Sequence, residues 1–350
     1  IIVMNPKNGE IYAMVNAPEF SLNEPFELVT DGKNEASETE EDISWKNEVQ
    51  SHAASAQNKQ ALLNQMWRNP CLNDTYEPGS TFKIVTAAAG LEAGVVNLPD
   101  QFSCPGFRIV EDRKIRCHKV GGHGGETFLQ GMMNSCNPVF IEIGARTGVS
   151  DMYKWYKRLG LMEKTGIDIP GEANSIFHKQ KAVGEVELAT MSFGQSFQIT
   201  PLQLLRAVCS VVNGGKKITP HFGIKVVSRD GTSVKQLDYE EEDAVVSQET
   251  QDTMKELLEA VVAEGGGKNA YIEGYRIGGK TATSEKLPRR SGKYISSFLG
   301  FAPANHPKIM ALLLIDEPEG VYYGGTIAAP AVRSIFENAL PYLGIEPSYQ

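Results

Sequence analysis

The amino-acid sequence predicts an α+β fold in which both ends of the chain form one sheet, capped by a terminal helix. Strand-like segments open the chain and return after Gly214-Gly215, and the sequence between them is mainly helical. The 350 residues are 41% hydrophobic and 22% charged, an ordinary globular composition that excludes a wholly disordered chain. This composition allows one large core or two modest domains.

The N-terminal segment predicts a hairpin. Residues 1–5 and 10–15 are strand-like, and the turn between them contains Asn8-Gly9, a pair that tolerates positive φ. Polar and acidic residues dominate the next segment, 21–55, which has few apolar side chains. We expect a solvated loop or insertion there.

The middle of the chain predicts four helices, from helix-forming runs and from prolines and serines that favour helix starts. Their bounds are 56–66, 80 to about 91, 138–145 and 150–159. The second helix is nearly all apolar and small, which places it at the centre of an all-helical subdomain. Gly90 and Gly94 would end this helix.

The C-terminal part returns to strands, predicted at 224–227, 275–283, 294–302 and 308–315, with helices at 248–263 and 331–340. The chain then divides into a sheet subdomain, 1–20 and about 216–350, and a mainly helical subdomain, about 56–215. The acidic segment 21–55 would be an insertion between them.

Charge and hydropathy bear on two classes of protein, the nucleic-acid binders and the membrane-spanning proteins. The chain has 34 basic and 43 acidic residues, and its net charge of −9 argues against electrostatic binding of nucleic acid. No apolar run reaches the roughly 18 residues that a membrane-spanning helix needs. Because the sequence begins on a strand without an initiator Met, we expect a fragment of a longer protein whose anchor and pedestal regions precede it.

The tetrad Ser80-Thr81-Phe82-Lys83 predicts a serine nucleophile. A spacing of three residues at a helix start places the Ser80 hydroxyl and the Lys83 amine on one helical face. An amine with an ordinary pKa of about 10.4 is a base only when burial or nearby cations lower that pKa. The apolar helix around Lys83 favours such desolvation, and the helix N-terminus adds N–H donors for a developing oxyanion. A capping serine with a surface lysine is the alternative.

Two further motifs follow along the chain. Ser135-Cys136-Asn137 places a hydroxyl and an amide just before a helix that begins with proline. Lys280-Thr281-Ala282-Thr283 lies on a predicted strand, where alternation sends Lys280 and Ala282 to one face and the two threonines to the other. A twist or bulge would be needed to direct all four side chains inward.

In this order the motifs are similar to the S-x-x-K, S-D-N and K-T-G motifs of penicillin-binding proteins and class A β-lactamases. The chain resembles the transpeptidase domain of class B penicillin-binding proteins, the D,D-transpeptidases of peptidoglycan synthesis, and within them the stage V sporulation protein D group. Matching segments cover nearly the whole chain: Asn5-Pro6, Gly9-Glu10-Ile11-Tyr12-Ala13-Met14, Tyr76-Glu77-Pro78-Gly79, Asn134 with the second motif and Pro138, Ser296-Ser297-Phe298, Gly300-Phe301-Ala302-Pro303 and Gly324-Gly325-Thr326.

The resemblance implies a penicillin-binding protein/serine β-lactamase-like fold, with an antiparallel sheet flanked by helices and an all-helical subdomain. It also implies that Ser80 attacks a stem-peptide D-Ala-D-Ala and that Lys83 is its base. Ser135 and Asn137 would orient the peptide and relay the proton, and Lys280 would polarise the Ser135 hydroxyl. No cofactor is required for this acyl transfer.

The third motif would bind the substrate. By the resemblance, Thr281 and Thr283 hydrogen-bond the substrate carboxylate, and the N–H groups of Ser80 and Thr283 form the oxyanion hole. Ala282 departs from the family pattern, in which glycine is commoner, and would place a methyl group beside the acyl pocket.

The implied partners are peptidoglycan stem peptides, β-lactam antibiotics and a glycan polymerase at the membrane. The implied location is the extracytoplasmic face of the cell membrane, with a role in spore cortex or septal wall synthesis. Alternatives are a D,D-carboxypeptidase or serine β-lactamase, which passes the acyl group to water, and a non-enzymatic β-lactam sensor.

A second chemistry is suggested by Cys104, Cys117, His118 and His123, which lie close together in the sequence. Two Cys and two His can satisfy a tetrahedral structural zinc site, and a hairpin would bring Cys104 beside Cys117. Adjacent residues point apart on a regular strand, so one of Cys117 and His118 need not ligate. Cys136 could also approach. A disulfide and unliganded thiols are the alternatives.

Overall fold

The computed structural model describes residues 1–28 and 56–348. Most of the predicted acidic insertion, 29–55, therefore lies outside the described residues. The strands of the described chain are β1 Ile2–Met4, β2 Ile11–Met14, β3 Gln101–Cys104, β4 Phe107–Val110, β5 Arg113–Arg116, β6 Gly124–Thr127, β7 Lys217–Ile218, β8 Lys225–Val227, β9 Val234–Gln236, β10 Glu241–Glu242, β11 Gly278–Glu285, β12 Tyr294–Ala302 and β13 Ile309–Asp316.

The helices of the described chain are α1 Ala56–Met66, α2 Pro70–Asn73, α3 Lys83–Glu92, α4 Phe128–Met133, α5 Asn137–Arg158, α6 Glu185–Met191, α7 Pro201–Val212, α8 Gln248–Ala263 and α9 Gly324–Tyr342. Short 3-10 helices lie at Gly79–Phe82, Gln180–Ala182 and Lys268–Ala270. Within this part of the chain, no helix combines the length and apolar character needed to cross a bilayer.

The two ends of the chain meet in one antiparallel sheet with the strand order β11-β12-β13-β1-β2. Val3 pairs with Ala311 across β1 and β13, so the N-terminal hairpin extends a sheet made by C-terminal strands. The α+β fold predicted from the strand and helix pattern is confirmed. The division into two subdomains stays a prediction.

The central strands of the sheet, β1, β12 and β13, are largely buried on both faces, which explains their nearly continuous apolar sequences. Alternation along β12 sends Leu299 and Phe301 to the core shared with the helical block, and Phe298 to a second core beneath α9. On β13, Leu312 and Ala311 divide in the same way. Helices cover both faces, so few of these strand positions are free to be polar.

The central helical block is formed around α3 and α7. From Lys83 to Gly90, α3 is buried throughout, as the sequence predicted, and every residue of α7 is buried. The predicted helices 138–145 and 150–159 form one element, α5, which is interrupted at Gly148 (φ 78°, ψ 160°). A residue with a side chain adopts this left-handed φ only with strain, so glycine allows the change of direction there.

Several predicted boundaries differ from the structure: the strand predicted at 275–283 is β11, Gly278–Glu285, and the α-helix predicted from residue 80 begins at Lys83. Two further differences have a packing cause. Gly90 does not end α3, because it lies inside the helix, and its missing side chain lets α3 approach α5. A Cβ at Gly90 would lie 2.7 Å from Cγ2 of Ile143. The last helix begins earlier than predicted, at Gly324, because the small residues before Ala331 pack against the sheet.

The contact at Gly90 gives a prediction about stability. Gly90→Ala would stabilise an isolated helix, but here its methyl group overlaps Ile143, so we expect the free energy of unfolding to fall by about 1–3 kcal/mol. Urea unfolding followed by circular dichroism measures this change. Gly125→Ala is the control, since a Cβ at exposed Gly125 meets nothing within 4 Å. Equal stability of both variants would contradict the prediction.

Candidate active site

Ser80 lies in the 3-10 helix that leads into α3, and the residues before it fix its position. Gly79 has a φ of 56°, and a Cβ there would lie 2.1 Å from Oγ of Ser284 on β11. The Gly79 N–H donates to the carbonyl of Gly194 at 2.9 Å. Only glycine fits this contact, because any side chain at position 79 would collide with β11. The close approach at Gly79 places the next residue, half-buried Ser80, beside β11.

The amine of Lys83 is fully buried among three acceptors. Its Nζ donates to the carbonyl of Ser135 at 2.7 Å, to Oδ1 of Asn137 at 2.7 Å and to Oγ of Ser135 at 3.2 Å. Burial lowers the pKa of Lys83 from 10.5 to about 8, against the opposing charges of Cys117, Cys136 and Glu126. A lysine with this pKa is partly neutral near pH 7–8 and can accept a proton.

Lys280 approaches the same hydroxyl from the other side. Its Nζ donates to Oγ of Ser135 at 2.9 Å and to the carbonyl of Thr281 at 3.2 Å, and its side chain has no solvent exposure. Burial, followed by the charge of Lys83, holds the pKa of Lys280 well below its ordinary value. The Ser135 oxygen therefore accepts from two amines, which leaves its own proton free to be donated.

Ser135 and Asn137 are held by their backbone context. Ser135 has a φ of 52°, a left-handed conformation that is uncommon for a residue with a side chain and that occurs often at functional sites. Asn137 is the first residue of α5, and its Nδ2 donates to the carbonyl of Arg116 at 3.1 Å. That bond orients the amide so that its oxygen faces Lys83. No sequence pattern predicted this role for the Arg116 carbonyl.

The third motif follows simple strand alternation. β11 pairs with β12 without a register shift from Gly278 to Glu285, so the expected bulge is absent from this ladder. Lys280 and Ala282 are buried on the face toward Gly79. Thr281 and Thr283 are half-buried on the other face.

This alternation places Thr283 beside α9 and Ala282 beside Gly79. Oγ1 of Thr283 accepts a hydrogen bond from the N–H of Gly324, the first residue of α9, at 3.0 Å. Ala282 is only 3% exposed, and its methyl group packs toward Gly79. The methyl group therefore fills the space between β11 and the turn before Ser80 and does not project into open solvent.

The structure thus joins four of the five predicted catalytic side chains by hydrogen bonds: Lys83, Ser135, Asn137 and Lys280. Ser80 is positioned by backbone contacts, and among the described residues no hydrogen bond links its hydroxyl to Lys83. Catalytic hydrogen bonds often form only with substrate bound, so this arrangement is compatible with Lys83 as a base.

Three cysteines and a histidine form a second cluster beside this network. One ligand atom each of Cys104, Cys117, His123 and Cys136 lies within 4.8 Å of the others. All five cysteines of the chain are buried and none is in a disulfide. The predicted set needs one correction: His118 is exposed and lies outside the group, and Cys136 takes its place. Cys136 enters because it is held beside Lys83 by the second motif.

The donor set of this cluster fits a structural zinc ion. Three thiol sulfurs and one imidazole are the ligand types that zinc prefers in closed tetrahedral sites. A hydrogen bond with the Cys136 thiol lowers the pKa of Cys117, and the same contact raises the pKa of Cys136. Nearby, Oε1 of Glu126 is buried without a hydrogen-bond partner in the described chain.

Known proteins are similar to this chain along nearly its whole length. Residues 1–337 match the family model of the penicillin binding protein transpeptidase domain. The chain is 41% identical over 356 residues to Stage V sporulation protein D of Bacillus subtilis, covering 99% of this chain and 49% of that protein. It is 28% identical to the probable peptidoglycan D,D-transpeptidase PenA of Neisseria flavescens, covering 99% of this chain and 76% of PenA.

Solved structures show the same fold. The D,D-transpeptidase domain of a peptidoglycan glycosyltransferase from Eggerthella lenta superposes with a TM-score of 0.81 at 22% identity, covering 98% of this chain and 78% of that one. Penicillin binding protein 3 of Mycobacterium tuberculosis, complexed with ampicillin, superposes with a TM-score of 0.80 at 23% identity, covering 100% and 73%. The chain spans about half the length of the sporulation protein that it matches. On its sequence and its fold, this chain belongs to the penicillin binding protein transpeptidase domain family.

Proposed function

We propose that this chain is a serine peptidoglycan D,D-transpeptidase that forms an acyl-enzyme at Ser80. The observation that supports this most directly is the Ser135 hydroxyl held between two buried lysine amines of lowered pKa, next to a serine at a helix start. Relatives named peptidoglycan D,D-transpeptidase share the family.

In the acylation step, Oγ of Ser80 attacks the carbonyl carbon of the penultimate D-Ala while neutral Lys83 takes the hydroxyl proton. The N–H groups of Ser80 and Thr283 stabilise the oxyanion of the tetrahedral intermediate. The peptide C–N bond then breaks. The proton passes from Lys83 through Ser135 to the leaving nitrogen, so D-Ala departs as the free amino acid and an ester remains on Ser80.

In the second step, an amine of a neighbouring stem peptide attacks this ester. Its nitrogen forms the new amide bond, and its proton returns to Ser80 through the same groups. A β-lactam would acylate Ser80 in the same way, but its leaving nitrogen stays tethered to the acyl group. It therefore obstructs the acceptor, and the adduct is long-lived.

Transfer to water, the reaction of a D,D-carboxypeptidase or a serine β-lactamase, needs an activated water. In the described part of the chain, no carboxylate is hydrogen-bonded to Lys83, Ser135 or Asn137. This argues against a water activated by a carboxylate, and the reaction product distinguishes hydrolysis through Lys83 from transfer to an amine. A sensor would acylate in the same way but would not transfer the group.

We further propose a role in the sporulation or septal wall, at the extracytoplasmic face of the membrane and beside a glycan polymerase. The similarity to Stage V sporulation protein D supports this role. Spores of a strain carrying Ser80→Ala test it, since normal cortex cross-linking in that strain would count against the role.

The cysteine cluster, we propose, binds a structural zinc ion through Cys104, Cys117, His123 and Cys136. A bound ion would brace this wall of the cleft, because Cys136 lies between Ser135 and Asn137 and Cys117 follows Arg116. The ion would supply a fixed link between these segments. The nucleophile is already provided by Ser80.

Labelling with fluorescent penicillin tests the proposed function. We expect one covalent adduct per chain, located on Ser80 by peptide mass spectrometry, and no adduct on Ser80→Ala. A persistent adduct excludes a β-lactamase, and release of D-Ala with transfer to an added amine separates a transpeptidase from a sensor. An adduct on another residue, or none on well-folded protein, would contradict the proposal.

The lowered pKa of Lys83 predicts how acylation depends on pH. Only the neutral amine accepts the Ser80 proton, so the rate constant should rise about tenfold from pH 7 to pH 9, through the pKa of about 8, and then level off. Stopped-flow acylation at saturating penicillin measures it. Circular dichroism across the same range controls for unfolding. A flat profile from pH 6 to pH 10 would contradict Lys83 as the base.

Metal content tests the zinc proposal. Plasma mass spectrometry of protein purified without chelator should give about one zinc per chain, and Cys117→Ser should lose it. Chelation should lower the melting temperature of the wild type. Cys209→Ser is the matched control, because Cys209 is buried in α7 outside the cluster and should leave the zinc content unchanged. Zinc-free wild-type protein would end the proposal.

A further inference from the structure

Glu77, which belongs to none of the three motifs, lies where three chain segments meet around Ser80. Its side chain is 9% exposed. Oε1 accepts a hydrogen bond from the Ser196 N–H at 2.8 Å, and Oε2 is paired with Arg289. A buried carboxylate is strongly destabilising unless donors or a cation face it, so these two partners explain why Glu77 is tolerated here.

Arg289 connects Glu77 to the edge strand of the sheet. It lies in the loop 286–293 between β11 and β12, and it donates a second hydrogen bond to the carbonyl of Glu285, the last residue of β11. The same loop is fixed on its other side, where Nζ of Lys286 lies 2.8 Å from Oδ1 of Asp316. The end of β11 is therefore held between β13 and the segment before Ser80.

The two segments that this ion pair joins are those that provide the proposed oxyanion hole. The Ser80 N–H follows Glu77 by three residues, and the Thr283 N–H precedes Glu285 by two. Between them, the backbone at Gly79 is in close contact with β11. This contact fixes the distance between the two segments next to Ser80. The ion pair fixes it near the end of β11.

We infer that Glu77 and Arg289 are positioning residues, whose ion pair fixes the separation of the Ser80 and Thr283 N–H donors. The inference rests on the proposed acyl transfer. The charge on the oxyanion is greatest in the tetrahedral transition state, so a displaced donor lowers the acylation rate constant and has little effect on the initial binding of ligand. A merely structural role would instead appear as lower stability with unchanged chemistry.

The experiment is a double-mutant cycle with fluorescent penicillin, in which stopped-flow traces separate the dissociation constant of the initial complex from the acylation rate constant. Glu77→Gln keeps an acceptor for Ser196 and removes the charge, and Arg289→Gln removes the cation. We expect each variant to acylate about tenfold more slowly, with a dissociation constant within about twofold of the wild type. The double variant should be no slower than the slower single variant, because both changes remove one interaction.

Two further variants are controls. Arg276→Gln breaks a more exposed ion pair, in which Arg276 and Glu259 are joined by two contacts of 2.6 and 2.7 Å, and should leave acylation unchanged. Arg289→Lys keeps the charge but loses the two-pronged guanidinium, and should restore part of the rate. Melting temperatures are measured for every variant.

An unchanged acylation rate constant in Arg289→Gln would overturn the inference. So would strictly additive losses in the double variant, or a loss confined to the dissociation constant. Because Arg289 lies in a surface loop, this variant decides the matter even where Glu77→Gln fails to fold. Lack of labelling in the wild type would overturn the proposed function, and this inference with it. Normal wild-type labelling with an unaffected Arg289→Gln would overturn the inference alone.

Discussion

Lys83 and Lys280 both donate to the hydroxyl of Ser135 from positions that have no solvent exposure. Burial removes the hydration of both ammonium groups, and the charge of Lys83 also acts on Lys280, so both pKa values are lowered. The free-energy cost is offset by the acceptors around Lys83, which include the Asn137 amide. The chemistry of the site depends on this balance, because a fully charged pair could not accept a proton.

The network exists only because separate segments pack closely enough to meet. The left-handed backbone of Ser135 directs its carbonyl and hydroxyl to Lys83, and Gly79 allows the turn before Ser80 to contact β11. Position 282 belongs to the same contact. Its methyl group is nearly fully covered and packs toward Gly79.

The cysteine cluster and the Glu77–Arg289 pair contact different segments of the site. Cys136 and the Arg116 carbonyl link the cluster to Asn137, so a change in the cluster would be transmitted to the acceptors of Lys83. The ion pair acts on the other half of the site, where the backbone donors lie. Family membership explains the shared fold and the order of the motifs.

The sequence by itself determined the order of the three motifs, the burial of α3 and the exact bounds of elements with strong local signals, such as α8 and β12. Capping residues, apolar periodicity and motif spacing are local properties, so they can be read without the fold. The tertiary structure decided that Gly90 lies inside a helix and that Cys136 replaces His118 in the cluster. It also decided that Glu77 meets a residue 212 positions away. Those outcomes depend on which segments, distant in the sequence, come into contact, and no local pattern in the sequence specifies such contacts.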